Sequence, residues 1–205
     1  MKKTLKFLKE NAWIVSDLHW HHNKDFIYSN RGYSSIQDQD KDIIYKINLL
    51  VKHDDILLDL GDMCLNTSEG EFEGLISSIN CQNIYHLWGN HTNPGYKIYQ
   101  QQIEKQYGVN DVEIYPLKYK NIIFVGDYIE IKHKGQEYIC SHYPMKSWNS
   151  MSHGSIHCHG HIHSKNEKSE GKSIDVGWDA FGKPLKLEEV NEIMKSKPVM
   201  HEGHH

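Results

Sequence analysis

Three short apolar runs, each cut off by a carboxylate, an amide or a histidine, constrain this chain more than any other feature. Trp13 to Ser16 ends in Asp17, Ile56 to Leu60 ends in Gly61-Asp62, and Ile84 to Trp88 runs into Gly89-Asn90-His91. Runs bounded in this way read as buried strands that deliver polar groups at their carboxyl ends. Between them, Ile43, Ile44, Ile47, Leu50 and Val51, and then Phe72, Leu75, Ile76 and Ile79, recur at helical spacing. The first set follows the acidic stretch Asp38 to Asp42, which suits a helix start. A third helix is expected over Tyr96 to Tyr107, between Pro94 and Gly108. Strand alternating with helix predicts an α/β chain.

Past Gly108 the rhythm changes to short β-rich runs at Val112 to Leu117, Ile122 to Val125, Tyr128 to His133 and Glu137 to Ser141, joined by tight turns such as Lys134-Gly135. Further strands are expected at Ser155 to Gly160 and Ser173 to Gly177, and a closing helix over Leu187 to Lys195. No repeat or Pro-rich linker marks a boundary, so residues 1–205 are expected to form a single domain. The polar segment from His21 to Gln39 reads as a functional loop.

With 23 Lys+Arg against 27 Asp+Glu, the chain advertises no basic surface for a long nucleic acid or an anionic membrane. No apolar stretch approaches the ~20 residues of a membrane span. At the start, Leu5, Phe7 and Leu8 are interrupted by Lys6 and Lys9, so no signal-peptide core forms. Cys64, Cys81, Cys140 and Cys158 make no CxxC pair, which fits free thiols in a reducing compartment and a cytoplasmic location. Histidine is the outlier at 16 residues, with one cluster after Asp17 and a denser one from His153 to His163. His53, His86 and His133 read as surface or core residues without a role, and His153 and His157 stand outside the ligand motifs. The terminal segment from His201 to His205 is a poor place for a ligand.

Asp17-Leu18-His19, Gly61-Asp62, Gly89-Asn90-His91, Ser141-His142 and Gly160-His161-Ile162-His163 occur in the order and approximate spacing of the calcineurin-like metallophosphoesterase family, which the chain therefore resembles. A lone D-x-H arises by chance, whereas five motifs in order, four at predicted strand ends, are specific. Asp175-Val176-Gly177-Trp178-Asp179, with Pro184 and Leu187-Glu188-Glu189, also resembles the C-terminal segment of small members, so the likeness spans nearly the whole chain. The resemblance implies a four-layer αββα sandwich of two mixed β-sheets flanked by helices, with a dinuclear metal centre at the strand ends. It implies Asp17, His19 and His163 for one divalent ion, Asn90, His142 and His161 for the other, and Asp62 as the bridge. Strand alternation makes the division reasonable, since residues at i and i+2 point to the same side.

A phosphate ester is anionic, so hydroxide attacks it slowly unless cations neutralise its oxygens and lower the pKa of the attacking water. The mixed imidazole, carboxylate and amide set suits Mn²⁺, Fe²⁺, Zn²⁺ or Ni²⁺ better than Mg²⁺ or Ca²⁺, with Mn²⁺ expected to support activity in vitro. By the same resemblance His91 contacts the scissile phosphate and protonates the leaving oxygen. The commonest family pattern has an acidic residue next, where this chain has Thr92. His22, Asn23 and Arg31 resemble substrate-facing residues of small bacterial and phage members, and Arg31 offers a fork of donors to a phosphate. Trp20, Tyr28, Tyr33, Tyr143 and Trp148 either stack on a base or cover sheet edges. Two function classes are open. One is a hydrolase of a phosphodiester or phosphomonoester, with a nucleotide or cyclic nucleotide as the expected small substrate. The other is a non-catalytic metal-binding or protein-interaction scaffold on the same fold. Scaffolds lose ligands or the catalytic histidine; this chain keeps every one, which favours the enzyme.

Overall fold

A computed structural model describes residues 4–7, 11–91, 93–107, 117–164 and 170–201 of the chain. In the first half, strands β1 (Thr4–Phe7) and β2 (Ala12–Val15) lead through helices α1 (Asp25–Tyr28) and α2 (Ile36–Leu50) to β3 (Ile56–Asp59). Helix α3 (Glu69–Ser78), strand β4 (Ile84–Leu87) and helix α4 (Asn93–Tyr107) follow. The second half holds β5 (Leu117–Tyr119), β6 (Ile122–Gly126), β7 (Tyr128–His133) and β8 (Gln136–Ser141). After a 3-10 turn at Met151–His153 come β9 (Ile156–His159), β10 (Ser173–Asp175), α5 (Trp178–Phe181), β11 (Leu185–Lys186) and α6 (Leu187–Met194).

Each of β2, β3 and β4 is followed by helix that carries the chain back, so the three lie parallel and adjacent. They form the centre of a six-stranded sheet ordered β11-β2-β3-β4-β6-β5, while a five-stranded sheet runs β1-β7-β8-β9-β10. Both sheets are mixed, because β11, β5 and the β7–β8 hairpin pair antiparallel. Side chains alternate across the pleat. Ala12, Ile14, Ile56 and Leu58 enter the core between the sheets with Ile129, Ile131, Tyr138 and Cys140. Trp13, Val15 and Leu57 face the opposite way, under α2, α3 and α4, where Ile43, Ile47, Phe72, Leu75, Ile98 and Ile103 meet them. The expected α/β fold with two mixed sheets flanked by helices is therefore present.

Helix α6 closes the inter-sheet core with Leu187, Val190 and Met194, spaced for one helical face, and the Tyr138 hydroxyl donates to the Leu187 carbonyl at 2.7 Å. Away from that core, the segment after β8 lies over the five-stranded sheet. There the Met145 N–H donates to His157 Nε2 at 2.9 Å, and the Trp148 ring sits 5.2 Å from the His157 ring.

Several expectations shift. The His21 to Gln39 segment is no open loop: it carries α1 and the first turn of α2, which starts at Ile36 because the Ser35 hydroxyl caps the Asp38 N–H. Strands β1 and β11 and helices α1 and α5 have four residues or fewer, too short for a periodic signal. The Lys134-Gly135 turn is as expected, with both residues in left-handed conformations that suit a two-residue hairpin. Of the Val112 to Leu117 run, residues 112–116 lie outside the described residues, and Leu117 opens β5. The four cysteines are buried and free. No described helix is long and apolar enough to cross a membrane.

Candidate metal centre

The candidate ligands stand just beyond the strands. The ladders stop at Val15, Asp59, Leu87, Ser141 and His159, and the polar side chains follow within three residues except for His19 and His163, which come four residues on. Their convergence does not come from pleat alternation, as Asp17 and His19 had suggested. Asp17 (φ 56°), His19 (φ 50°), Asp62 (φ 54°), His161 (φ 71°) and His163 (φ 48°) all adopt left-handed backbone. Such residues each cost on the order of 1–3 kcal/mol and persist only where surroundings hold them. Here Asp17 N–H donates to the Gly61 carbonyl at 3.0 Å and His19 N–H to the Asp62 carbonyl at 2.9 Å, stitching the β2 and β3 loops together. Gly61 (φ 110°) is needed for closeness as well as conformation, since a Cβ there would sit 2.8 Å from Gly89 N and 2.9 Å from His142 Nδ1. At Gly89 a Cβ would run into the Asp62 carboxylate.

Two constellations result. In one, His19 Nε2 and His163 Nε2 are 3.2 Å apart, and each is 3.8 Å from Asp17 Oδ1. In the other, His142 Nε2 and His161 Nδ1 each lie 2.9 Å from Asn90 Oδ1. Asp62 Oδ2 faces both, at 3.9 Å from His19 Nε2 and 3.5 Å from His142 Nε2. The donor set fits divalent cations. Asp17 Oδ1 is buried without a hydrogen-bond partner, and burial pushes that carboxyl up to about 6. Burial, with the nearby charges of Arg31 and His163, pulls His19 down to about 2, so it is neutral, the form that ligates. Burial would raise Asp62, yet hydrogen bonding and charge from His142, with the His91 N–H, hold it at about 2.

The remaining ring nitrogens of His142, His163 and His19 are committed in ways that orient these candidate ligands. His142 Nδ1 faces the Leu60 carbonyl at 3.0 Å, His163 Nδ1 faces Asp179 Oδ2 at 2.6 Å, and His19 Nδ1 lies 3.1 Å from His22 Nδ1. A carbonyl or carboxylate can only accept, so His142 and His163 carry their hydrogens on Nδ1 and turn Nε2 to the centre.

His91 donates its backbone N–H to Asp62 Oδ1 at 2.8 Å, and its Nε2 lies 3.9 Å from Asp62 Oδ2 with the side chain 33% exposed. Thr92 lies outside the described residues. These groups open into a cavity of about 950 Å³ whose lining includes His22, His91, Arg31, Tyr33, Lys46 and Trp178. Asn23 is exposed and outside that lining, where Asn30 appears instead. Arg31 lines the cavity, but its donors are all engaged within the chain. Nε and Nη2 meet the Asp179 carboxylate at 3.0 and 2.6 Å, Nη1 meets the Leu18 carbonyl and Gln39 Oε1, and Nη2 also meets the Asp17 carbonyl. Of the aromatics, Tyr33 lines the cavity, Tyr143 packs on His161 at 4.6 Å, and Trp148 covers His157.

Sequence reading missed Asp179, Gln39 and Asp40 as supports. Gln39 Nε2 donates to the His19 carbonyl at 3.3 Å, and Asp40 accepts the His21 N–H at 3.1 Å. Asp179 belongs to the Asp175–Asp179 segment, whose resemblance was the available signal. Burial opposes its charge, but His163 and Arg31 hold its carboxyl well below the usual range. His86, without a role in the sequence reading, pairs through Nδ1 with the buried Asp59 carboxylate behind the sheet.

No family model matches the chain. It is 22% identical over 196 residues to the uncharacterized protein MJ1445 of Methanocaldococcus jannaschii, covering 92% of this chain and 93% of that one. Among solved structures it is similar to AQ665, a protein of unknown function from Aquifex aeolicus, with a TM-score of 0.63 over 90% of this chain and 100% of the other. At 18% identity that likeness concerns the fold alone.

Proposed function

We propose that the chain is a phosphoesterase that works with two divalent cations and hydrolyses a phosphodiester or phosphomonoester bond. Asp62 supports this most directly, because a single carboxylate oxygen faces two separate sets of ligand atoms, at 3.9 Å from His19 Nε2 and 3.5 Å from His142 Nε2. Asp17, His19 and His163 would complete one site, and Asn90, His142 and His161 the other. Cations held there would neutralise phosphoryl oxygens and lower the pKa of water, with Mn²⁺ the ion of choice in vitro and Fe²⁺, Zn²⁺ or Ni²⁺ alternatives. The protein's own part is to hold these side chains rigid, to keep His19 neutral by burial, and to present His91 to the leaving oxygen as proton donor.

His22 reaches the cavity wall with its Nδ1 committed to His19, which leaves Nε2 to meet a phosphoryl oxygen. The cavity has the size of a small-molecule site, roughly 300–1,000 Å³. A nucleotide or cyclic nucleotide therefore suits it better than a polymer, in keeping with a net charge of −4.

The test is an activity panel with Mn²⁺ on bis(p-nitrophenyl) phosphate, p-nitrophenyl phosphate and 2′,3′- and 3′,5′-cyclic nucleotides, for wild type and Asp62→Asn. Turnover should depend on metal, and the variant should lose most of it while weakening at least one site, because the bridge supplies charge to both cations. Near wild-type turnover in Asp62→Asn would sink the proposal. Metal binding with no turnover of any ester would favour a scaffold.

A further inference from the structure

The segment Asp175–Asp179 sits where the two sheets approach each other. Ser16 N–H donates to the Val176 carbonyl at 3.2 Å, Val176 N–H to the His159 carbonyl at 2.8 Å, and Trp178 N–H to the Ser16 carbonyl at 2.9 Å. The segment is thus tied to the end of β2 on one side and of β9 on the other. Both of its carboxylates reach the turn that carries His161 and His163. Asp175 Oδ2 accepts the Ser164 N–H at 2.8 Å, and Asp179 Oδ2 takes the His163 Nδ1–H at 2.6 Å. Asp179 is itself fixed from behind by the Arg31 fork, whose side chain is only 3% exposed and whose other hydrogens hold the carbonyls of Asp17 and Leu18.

We infer that Asp179, braced by Arg31, is a positioning residue for the first metal site: it fixes the tautomer and the aim of His163. This rests on the two-cation reading above. It also gives Arg31 a different task from gripping substrate, because a guanidinium with every N–H spoken for has none left for a phosphate. The chemistry is that of a carboxylate behind a ligating imidazole. With its hydrogen held on Nδ1, His163 must offer the Nε2 lone pair toward Asp17 Oδ1 and His19 Nε2. An amide at position 179 can instead present an N–H to Nδ1. That favours the tautomer with hydrogen on Nε2, which cannot ligate. The effect should therefore be confined to the site that uses His163, and should spare the one built from Asn90, His142 and His161, whose rings are oriented by other partners.

The experiment is calorimetric titration of metal-stripped, full-length protein with Mn²⁺ alone, alongside the melting temperature of each metal-free protein. Wild type should show two binding events. Asp179→Asn should keep one at wild-type affinity and weaken the other by roughly 10- to 100-fold, the range for loss of such a supporting group. Asp179→Glu, which restores an acceptor, should recover much of the loss. Arg31→Lys, which keeps the charge and loses the fork, should weaken the same event less than Asp179→Asn does. It serves as the independent variant if Asp179→Asn fails to fold. Two unchanged events in Asp179→Asn, or equal weakening of both together with a lowered metal-free melting temperature, would overturn the positioning role and leave the two-cation reading intact. A wild-type protein that binds no Mn²⁺ would overturn both.

Discussion

On the proposed reading, His91 is the side chain that would act on the leaving group of a substrate. Its main chain is pinned by the N–H to Asp62 Oδ1, while its imidazole lines the cavity against the His19 and His22 rings, with Nε2 3.9 Å from Asp62 Oδ2. In the proposed reaction, a residue so placed would donate a proton to a departing oxygen without moving a candidate metal ligand. General acid catalysis is worth about 10² to 10⁴ in rate, and only where the leaving group needs the proton. His91→Ala should therefore cost most of that factor with a nucleoside alkoxide as leaving group, and much less with p-nitrophenolate. The comparison is kcat on a nucleotide diester and on a nitrophenyl diester, with metal content measured in each sample. Equal losses on both, metals retained, would leave His91 as a contact that stabilises charge on the phosphoryl group.

At the scale of elements, the centre depends on how close β3 and β4 bring their trailing loops. The strands pair in register from Leu57 with Ile84 to Asp59 with His86, and the chain then turns through Gly61 and Gly89, which lie nearly back to back. A methyl group at position 89 would occupy the space of the Asp62 carboxylate. Crowding of this kind costs typically 1–3 kcal/mol in folding, but the larger consequence falls on Asp62, which must swing away from both ligand sets. Gly89→Ala should thus bind Mn²⁺ at least tenfold more weakly and lose at least as much activity, while the circular dichroism of the fold is kept. Wild-type metal affinity in that variant would show that the loops have more room than the geometry allows.

At the scale of the whole molecule, one buried histidine away from the centre predicts an acid sensitivity of the fold. His157 is fully buried, with Nδ1 on the Ile139 carbonyl and Nε2 accepting from Met145, so it ties the layer after β8 to the five-stranded sheet. Burial pulls its pKa from 6.5 down to about 4. Between those values the unfolded chain takes a proton that the folded chain refuses. Stability from this group is therefore intact above about pH 6.5 and falls as pH drops toward 4, by about 3 kcal/mol in all if the shift is fully expressed. Urea unfolding of metal-free protein at a series of pH values should show this slope in wild type and a shallower one in His157→Gln, whose side chain does not titrate. Parallel slopes would assign the acid sensitivity to other groups.

Much of the fold is legible in one dimension because burial imposes a period. Val15, Leu58 and Leu87 announce strands, Ile43 and Ile47 or Phe72 and Leu75 announce helices, and Lys134-Gly135 announces a hairpin, each from neighbours a few residues apart. The polar endings of those strands, from Asp17 to His163, likewise mark the residues that meet. What decides how they meet is not local. Left-handed turns at Asp17 and His19 are held by hydrogen bonds to the carbonyls of a neighbouring loop, so pleat alternation is a poor guide to where these side chains aim. Arg31 reads in sequence as a free fork of donors, yet in the folded chain it closes on Asp179, 148 residues away, and on the carbonyls of Asp17 and Leu18. Sequence determines which groups a segment offers. Only the tertiary structure, by bringing competing partners together and excluding water from them, determines which of those offers is taken.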